Sequence, residues 1–144
     1  AHNADFVVKN KIGIGAVILN KDGSCIGHGI NVRETKKDPL GHAEIIALRQ
    51  ASLIKNDWRF NDCTLIVTLE PCMMCASALI QARMGQVIYG ATDQKRGALG
   101  GALDLSKDKS AHHHMIVKRG ILEEVVSKQL KDWFKLRRVS SLEN

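Results

Sequence analysis

Aromatic residues, prolines and long apolar runs are all scarce in this chain of 144 residues. Only 4% of the residues are aromatic, and only two are proline. The longest apolar stretches, such as residues 63–69, are far shorter than the roughly 18 residues that a membrane-spanning helix needs. A basic segment followed by an apolar core, which marks a secretory leader, is also missing. The sequence therefore predicts a cytoplasmic protein with no membrane partner.

The sequence also lacks repeats, low-complexity tracts and linkers rich in proline, glycine or serine. Its composition, 44% hydrophobic and 25% charged, is that of an ordinary globular protein. Its length suits one domain of roughly 150 residues. We therefore expect a single domain that spans residues 1–144.

The charge is unbalanced towards the positive side. Lysine and arginine total 21 against 15 aspartates and glutamates, which gives a net charge of +6. Such an excess favours polyanionic partners such as RNA or DNA, although a basic surface can also be merely solvated. The charge alone leaves both interpretations open.

The hydrophobic pattern predicts an α/β protein. Short apolar runs predict five strands, at residues 16–19, 25–30, 64–69, 87–89 and 115–117. Apolar residues at helical spacing predict three helices, which begin at Ala43, Cys72 and Leu122. An Asp-Gly turn joins the first two strands into a hairpin, and the glycine-rich residues 90–112 predict a long surface loop. This order of elements implies layers of helix and sheet.

Two short segments together predict a zinc site. His42-Ala-Glu44 opens the first helix, and Cys72-Met-Met-Cys75 follows Pro71 at the opening of the second. Cysteines three residues apart in a first helical turn face the same side, and His42 adds a nitrogen from the neighbouring helix. Three protein donors leave one position open, which is typical of catalytic zinc with a bound water of pKa about 7.

The charges of these residues suit Zn²⁺ and leave Glu44 free for proton transfer. Two thiolates and a neutral imidazole cancel the charge of the ion, and a helix N-terminus favours ionised sulfur. His42 and Glu44 lie about 200° apart around a regular helix, so both reach one centre only beyond the helix end. Glu44 can then carry protons between water and substrate instead of binding the metal.

Each segment alone has a simpler interpretation. A Cys-x-x-Cys pair is more often half of a structural zinc site or a redox pair, and a lone His-x-Glu is more often structural. A structural site needs a fourth donor, however, whereas Cys25 and Cys63 are single. A redox pair leaves His42 and Glu44 unexplained.

The remaining cysteines, methionines and histidines are interpreted as structural. We expect Cys25 and Cys63 to be buried apolar residues. Met73 and Met74 are expected to pack beside the site. Residues 112–114 are three histidines, but neighbours on an extended segment alternate in direction and cannot all converge on one metal.

The combination of His42-Ala-Glu44 with Pro71-Cys-Met-Met-Cys75 resembles the signature of zinc-dependent nucleoside deaminases. Within that superfamily the chain resembles the bacterial tRNA-specific adenosine deaminases over nearly its whole length. The stretches that carry this resemblance are Asp38-Pro-Leu-Gly-His-Ala-Glu-Ile45, Asn56-Asp-Trp-Arg59, Thr64-Leu-Ile-Val-Thr-Leu-Glu-Pro-Cys-Met-Met-Cys75, Gly90-Ala-Thr-Asp93 and Trp133-Phe-Lys-Leu-Arg-Arg138.

The resemblance implies a fold, an activity and a set of roles. The fold is a cytidine-deaminase-like three-layer α/β/α sandwich with a mixed five-stranded sheet. The activity is hydrolytic conversion of adenosine to inosine at the wobble position of a tRNA anticodon stem-loop, by a homodimer with one Zn²⁺ per subunit. The metal ligands are His42, Cys72 and Cys75, the proton shuttle is Glu44, and Asn31 contacts the target base.

The chain departs from this family in two places. The first strand is entered through residues 11–15 after only ten residues, so the N-terminal helix is expected to be truncated. Leu40 and Gly41 replace the commoner small-polar and alanine residues before His42, which would alter the rim of the pocket.

Two other functions compete with RNA editing. The first is deamination of a free base or nucleotide of the guanine, cytosine or deoxycytidylate type, against which the basic charge argues. The second is a noncatalytic, zinc-stabilised RNA-binding subunit, against which the presence of Glu44 argues. The basic C-terminal residues that favour RNA are Lys128, Lys131, Lys135, Arg137 and Arg138.

Overall fold

The computed structural model describes residues 15–120. The strands are β1 (Gly15–Leu19), β2 (Cys25–Ile30), β3 (Thr64–Leu69), β4 (Gln86–Ala91) and β5 (Ile116–Lys118). The helices are α1 (Ala43–Lys55) and α2 (Met73–Gln81), and a single 3-10 turn covers Leu105–Lys107. All five predicted strands and the first two predicted helices are confirmed.

The strands form one mixed sheet in the order β2-β1-β3-β4-β5. Strand β1 is antiparallel to both β2 and β3, whereas β3, β4 and β5 are parallel. Because β2 and β3 both oppose β1, they run in the same direction and their carboxyl ends meet at one edge of the sheet. The connections after these two strands lead into α1 and α2. The N-termini of both helices are thereby brought to the edge where ligands commonly bind in open α/β sheets.

The main core lies between the sheet and these two helices. Alternate strand residues such as Ile18, Leu65 and Tyr89 are fully buried in the same cluster as Ala47 of α1 and Leu79 of α2. The opposite face of the sheet carries a smaller cluster, which consists of Val17 and Ile66 with Leu19 and Ile88 packed against them. The mixed five-stranded sheet with helices agrees with the predicted fold class.

Two predicted helices fall outside the described residues. These are the truncated N-terminal helix before β1 and the C-terminal helix from Leu122, which carries the basic residues. Within residues 15–120, no helix is both long enough and apolar enough to cross a membrane.

Glycines in β2 allow α1 to lie directly on the sheet. A Cβ atom on Gly27 would lie 2.5 Å from the carbonyl oxygen of Ala47, and one on Gly29 would collide with the carbonyl oxygen of Ala43. Both positions therefore need the absence of a side chain. This close packing fixes the helix end that carries His42 and Glu44.

The prediction of a long surface loop over residues 90–112 was wrong at its start and in its middle part. Strand β4 continues to Ala91, and Ala98 and Leu99 are fully buried in the main core. The many glycines of the segment favoured a loop and gave no sign of this burial, because the contacts that hold the segment come from distant parts of the chain.

Candidate active site

The predicted metal ligands His42 and Cys72 occupy equivalent places at the starts of the two helices. Each is the N-cap residue of its helix, with an extended backbone conformation, and neither side chain bonds to its own helix end. The second helix thus begins one residue later than the sequence predicts. Cys75 lies one turn further on, inside α2, and is fully buried.

The three donor atoms lie close together in space. The Nδ1 atom of His42 is 3.6 Å from Sγ of Cys72 and 3.5 Å from Sγ of Cys75. In tetrahedral zinc, a nitrogen at about 2.0–2.1 Å and a sulfur at about 2.3 Å from the metal lie about 3.6 Å apart. The spacing and the donor chemistry therefore fit Zn²⁺. No other such group of histidine, cysteine, aspartate or glutamate occurs within residues 15–120.

The pKa values of the two cysteines are shifted in opposite directions. A hydrogen bond with the Cys75 thiol lowers the pKa of Cys72 to about 5. The same hydrogen bond, with burial, raises the pKa of Cys75. Cys72 is therefore a thiolate at neutral pH, the form that a metal ligand requires.

Glu44 lies beside the metal donors in the first turn of α1. Its side chain is buried, with the residue only 4% exposed, and it hydrogen-bonds to Cys75. Burial raises the pKa of this carboxyl above its ordinary value. A buried carboxyl of raised pKa next to a metal site is well suited to proton transfer.

Asn31 follows β2 at the same edge of the sheet and is half-buried. Its Oδ1 atom accepts a hydrogen bond of 2.9 Å from the backbone N–H of Arg33. Within residues 15–120, no hydrogen bond joins its side chain to the metal donors. Its role in contacting the base stays a prediction.

The sequence interpretation missed Glu70, which is only 3% exposed at the end of β3. Its carboxylate binds the backbone of the segment that was predicted to be a surface loop. The available signal was a charged residue directly after a continuous apolar strand, because glutamate is almost never buried without partners.

The other singled-out residues divide between correct and wrong predictions. Cys63 is buried, as predicted, but Cys25 is exposed because it starts an edge strand. Met73 is 65% exposed and does not pack beside the site. Met74 is half-buried. Two of the three histidines at 112–114 contact backbone carbonyl oxygens: His113 that of Met84 at 2.7 Å, and His114 that of Ser106 at 3.3 Å.

Comparison with known families supports the geometric interpretation. Residues 2–91 match the family described as the cytidine and deoxycytidylate deaminase zinc-binding region. The chain belongs to this family. It is therefore a hydrolytic deaminase that uses zinc, and its His/Cys/Cys group is positioned to bind the ion.

Individual relatives narrow the position of the chain within this deaminase family. It is 39% identical over 89% of its length to a tRNA-specific adenosine deaminase of Haemophilus influenzae, of which it covers 74%. A solved structure from a study of A-to-I editing by tRNA:A34 deaminases shares 34% identity at a TM-score of 0.78, covering 88% of this chain and 92% of that one. A guanine deaminase of Bacillus subtilis shares 31% identity at a TM-score of 0.55, covering 92% and 87%.

Proposed function

We propose that this deaminase hydrolyses adenosine to inosine at the wobble position of a tRNA anticodon. The observation that carries the proposal is the 39% identity to a tRNA-specific adenosine deaminase over 89% of the chain. The arrangement of His42, Cys72, Cys75 and Glu44 supplies chemistry consistent with that reaction.

In this proposal His42, Cys72 and Cys75 hold the zinc, and Glu44 moves protons. When bound, the ion acts as a Lewis acid that activates water for attack on C6 of the adenine. The Glu44 carboxylate accepts a proton from the attacking water and delivers it to the ring nitrogen. Glu44 then takes the proton of the new C6 hydroxyl group and transfers it to the amine, so that the C6–N bond breaks, ammonia leaves and C6 becomes the carbonyl carbon of inosine.

An anticodon loop suits this site because its bases are already unpaired. Turning one base out of a single-stranded loop requires less energy than opening a duplex. The net charge of +6 favours an RNA partner. We propose that the basic C-terminal residues contact phosphates and that Asn31 contacts the target base.

The Asn31 proposal predicts a selective binding defect. Asn31→Ala is expected to raise KM for an anticodon stem-loop by about fivefold with little change in kcat, since one lost hydrogen bond is worth about 1 kcal/mol. Asn31→Asp is the matched control, because its carboxylate still accepts from the Arg33 N–H but it lacks the amide NH₂ group. If the amide contacts the base, KM should rise in this variant as well. Steady-state kinetics measure both variants. Wild-type KM in Asn31→Asp would show that Asn31 only holds its turn and would contradict the proposed base contact.

The substrate assignment is tested with an anticodon stem-loop that has adenosine at its first anticodon position. After incubation, we expect sequencing of the cDNA to show an A-to-G change at that base alone. Guanine, cytidine and deoxycytidylate are offered in parallel, since the similarity to a guanine deaminase structure makes a free base the second candidate. Ammonia release from these small molecules alone would reverse the assignment. Saturable RNA binding without any ammonia release would indicate the noncatalytic subunit.

We further propose that residues 1–144 form one domain and act as a cytoplasmic homodimer with one zinc per subunit. Light scattering of the zinc-loaded protein is then expected to give twice the chain mass of 15.9 kDa. A mass of one chain at micromolar concentration would contradict the dimer.

A further inference from the structure

Glu70 is a buried carboxylate that the reaction itself does not use. It is 3% exposed, immediately before Pro71 and Cys72. Its Oε1 atom accepts from the backbone N–H of Asp93 at 3.1 Å. Its Oε2 atom accepts from the N–H groups of Leu99 at 2.9 Å and Gly101 at 2.8 Å. Three N–H donors explain how an acid is kept in a buried position.

The segment that supplies these donors, which we call the Glu70 loop (residues 93–101), is closely fitted around the carboxylate. A Cβ atom on Gly97 would collide with the carboxyl group of Glu70, and one on Gly101 would lie 2.5 Å from Oε1. Two further residues hold the same loop. The Asp93 carboxylate accepts hydrogen bonds from the N–H groups of residues 95 and 96. Leu99 is buried in the main core. The loop therefore has one well-defined position relative to Glu70.

The Glu70 loop is also bonded to the chain on either side of the first cysteine. Gly97 forms an antiparallel bridge with Cys72, and the N–H of Ala98 donates to the carbonyl oxygen of Pro71 at 2.9 Å. Cys72 lies outside the regular part of α2, so helical geometry alone does not fix its backbone. Its carbonyl oxygen accepts a hydrogen bond of 2.8 Å from the N–H of Ala76 in α2, and the bridge to Gly97 holds its backbone from the side of the loop.

We propose that Glu70 is a positioning residue for Cys72: its carboxylate fixes the Glu70 loop, and the loop holds the Cys72 backbone so that its sulfur meets the other metal donors. The inference rests on the proposed role of Cys72 as a zinc ligand. The hydrogen bonds of the Glu70 carboxylate given above go to N–H groups of the loop, and Glu70 is not in the His42, Cys72 and Cys75 group that could hold the metal. It acts through the bridge between Gly97 and Cys72.

Two substitutions of Glu70 remove different numbers of its hydrogen bonds, and we expect graded losses of metal affinity. Glu70→Ala removes all three hydrogen bonds to the loop. Glu70→Gln keeps one acceptor oxygen, which can serve Leu99 and Gly101, while its NH₂ group meets the N–H of Asp93 donor to donor. Metal affinity should therefore fall in the order wild type, Glu70→Gln, Glu70→Ala.

The experiment loads the full chain with Co²⁺, whose sulfur-to-metal charge-transfer absorption reports thiolate ligation. Loss of groups that orient metal ligands weakens metal affinity by about 10- to 100-fold, and we expect that loss in Glu70→Ala. We also expect weaker charge-transfer absorption with an unchanged far-ultraviolet circular dichroism spectrum, which a purely structural role would not produce. Asp22→Asn is the matched control, since the Asp22 carboxylate also accepts a backbone N–H, from Ser24, but in the exposed β1–β2 turn.

Wild-type affinity and absorption in both Glu70 variants would overturn the inference. If Glu70→Ala does not fold, Glu70→Gln decides the matter, because reduced charge-transfer absorption supports the inference and a wild-type spectrum overturns it. A wild-type chain that binds neither Co²⁺ nor Zn²⁺ would overturn the proposed function as well. Normal metal binding in wild type and variants alike would overturn the role of Glu70 alone.

Discussion

Glu44→Gln is expected to leave zinc bound while lowering kcat for the anticodon substrate by about 10²- to 10⁴-fold, the usual contribution of a positioned acid or base. The amide has nearly the same shape as the carboxyl group but cannot move protons. Because the Glu44 side chain is buried beside Cys75, a substitute of equal size should leave the packing around the metal donors unchanged. Single-turnover kinetics and metal analysis of the same sample measure both effects.

Glu34→Gln is the matched control for this substitution. Glu34 is an exposed carboxylate in the connection between β2 and α1, with 71% of its side chain accessible. We expect wild-type turnover in that variant. A Glu44→Gln protein that has lost its zinc, or one that turns over at the wild-type rate, would show that Glu44 has a different role.

Cys75→Ser is expected to abolish stoichiometric zinc binding and, with it, measurable deamination. The side chain is fully buried and only 3.5 Å from Nδ1 of His42, so replacing its sulfur by a hydroxyl, which is not a usual zinc ligand, removes one of the three donors. Loss of a group that only supports a metal ligand weakens metal affinity by about 10- to 100-fold. Loss of the ligand itself should weaken zinc affinity by more than that. Competition with a chromophoric chelator gives the affinity, and elemental analysis gives the stoichiometry.

Cys63→Ser separates this effect from the general cost of changing a buried thiol. Cys63 is also buried, but its sulfur lies near Lys55 and Asp62 instead of near the metal donors. We expect the Cys63 variant to bind zinc with wild-type affinity. If both variants lose zinc to the same extent, the loss in Cys75→Ser comes from a general folding defect and not from the removal of a ligand.

Local patterns were enough to predict most elements and the grouping of His42, Cys72 and Cys75. The Asp-Gly turn predicts the hairpin, and the β-branched run at residues 64–69 predicts β3, because these signals lie within a few neighbouring residues. The donor spacing of Cys72 and Cys75 is likewise local. His42 could be added because its chemistry matches theirs, and the common direction of β2 and β3 explains how residues 30 positions apart meet.

The features that sequence could not predict depend on distant contacts. The N–H groups that bind Glu70 lie 23, 29 and 31 residues further along the chain. The exposure of Cys25 follows from the edge position of β2, which is a property of the strand order. Met73 has the same residue type as its half-buried neighbour, and only the orientation of α2 makes it exposed. None of these properties has a signature within a short window of residues.

X-ray absorption spectroscopy of the zinc-loaded protein tests the central claim most directly, because it counts the atoms bound to the metal. We predict two sulfur atoms at about 2.3 Å, together with nitrogen or oxygen atoms at about 2.0–2.1 Å that comprise His42 and one non-protein ligand. Cys72→Ser should remove one sulfur from that count. A spectrum with three or four sulfurs, or with none, would contradict a catalytic zinc held by His42, Cys72 and Cys75.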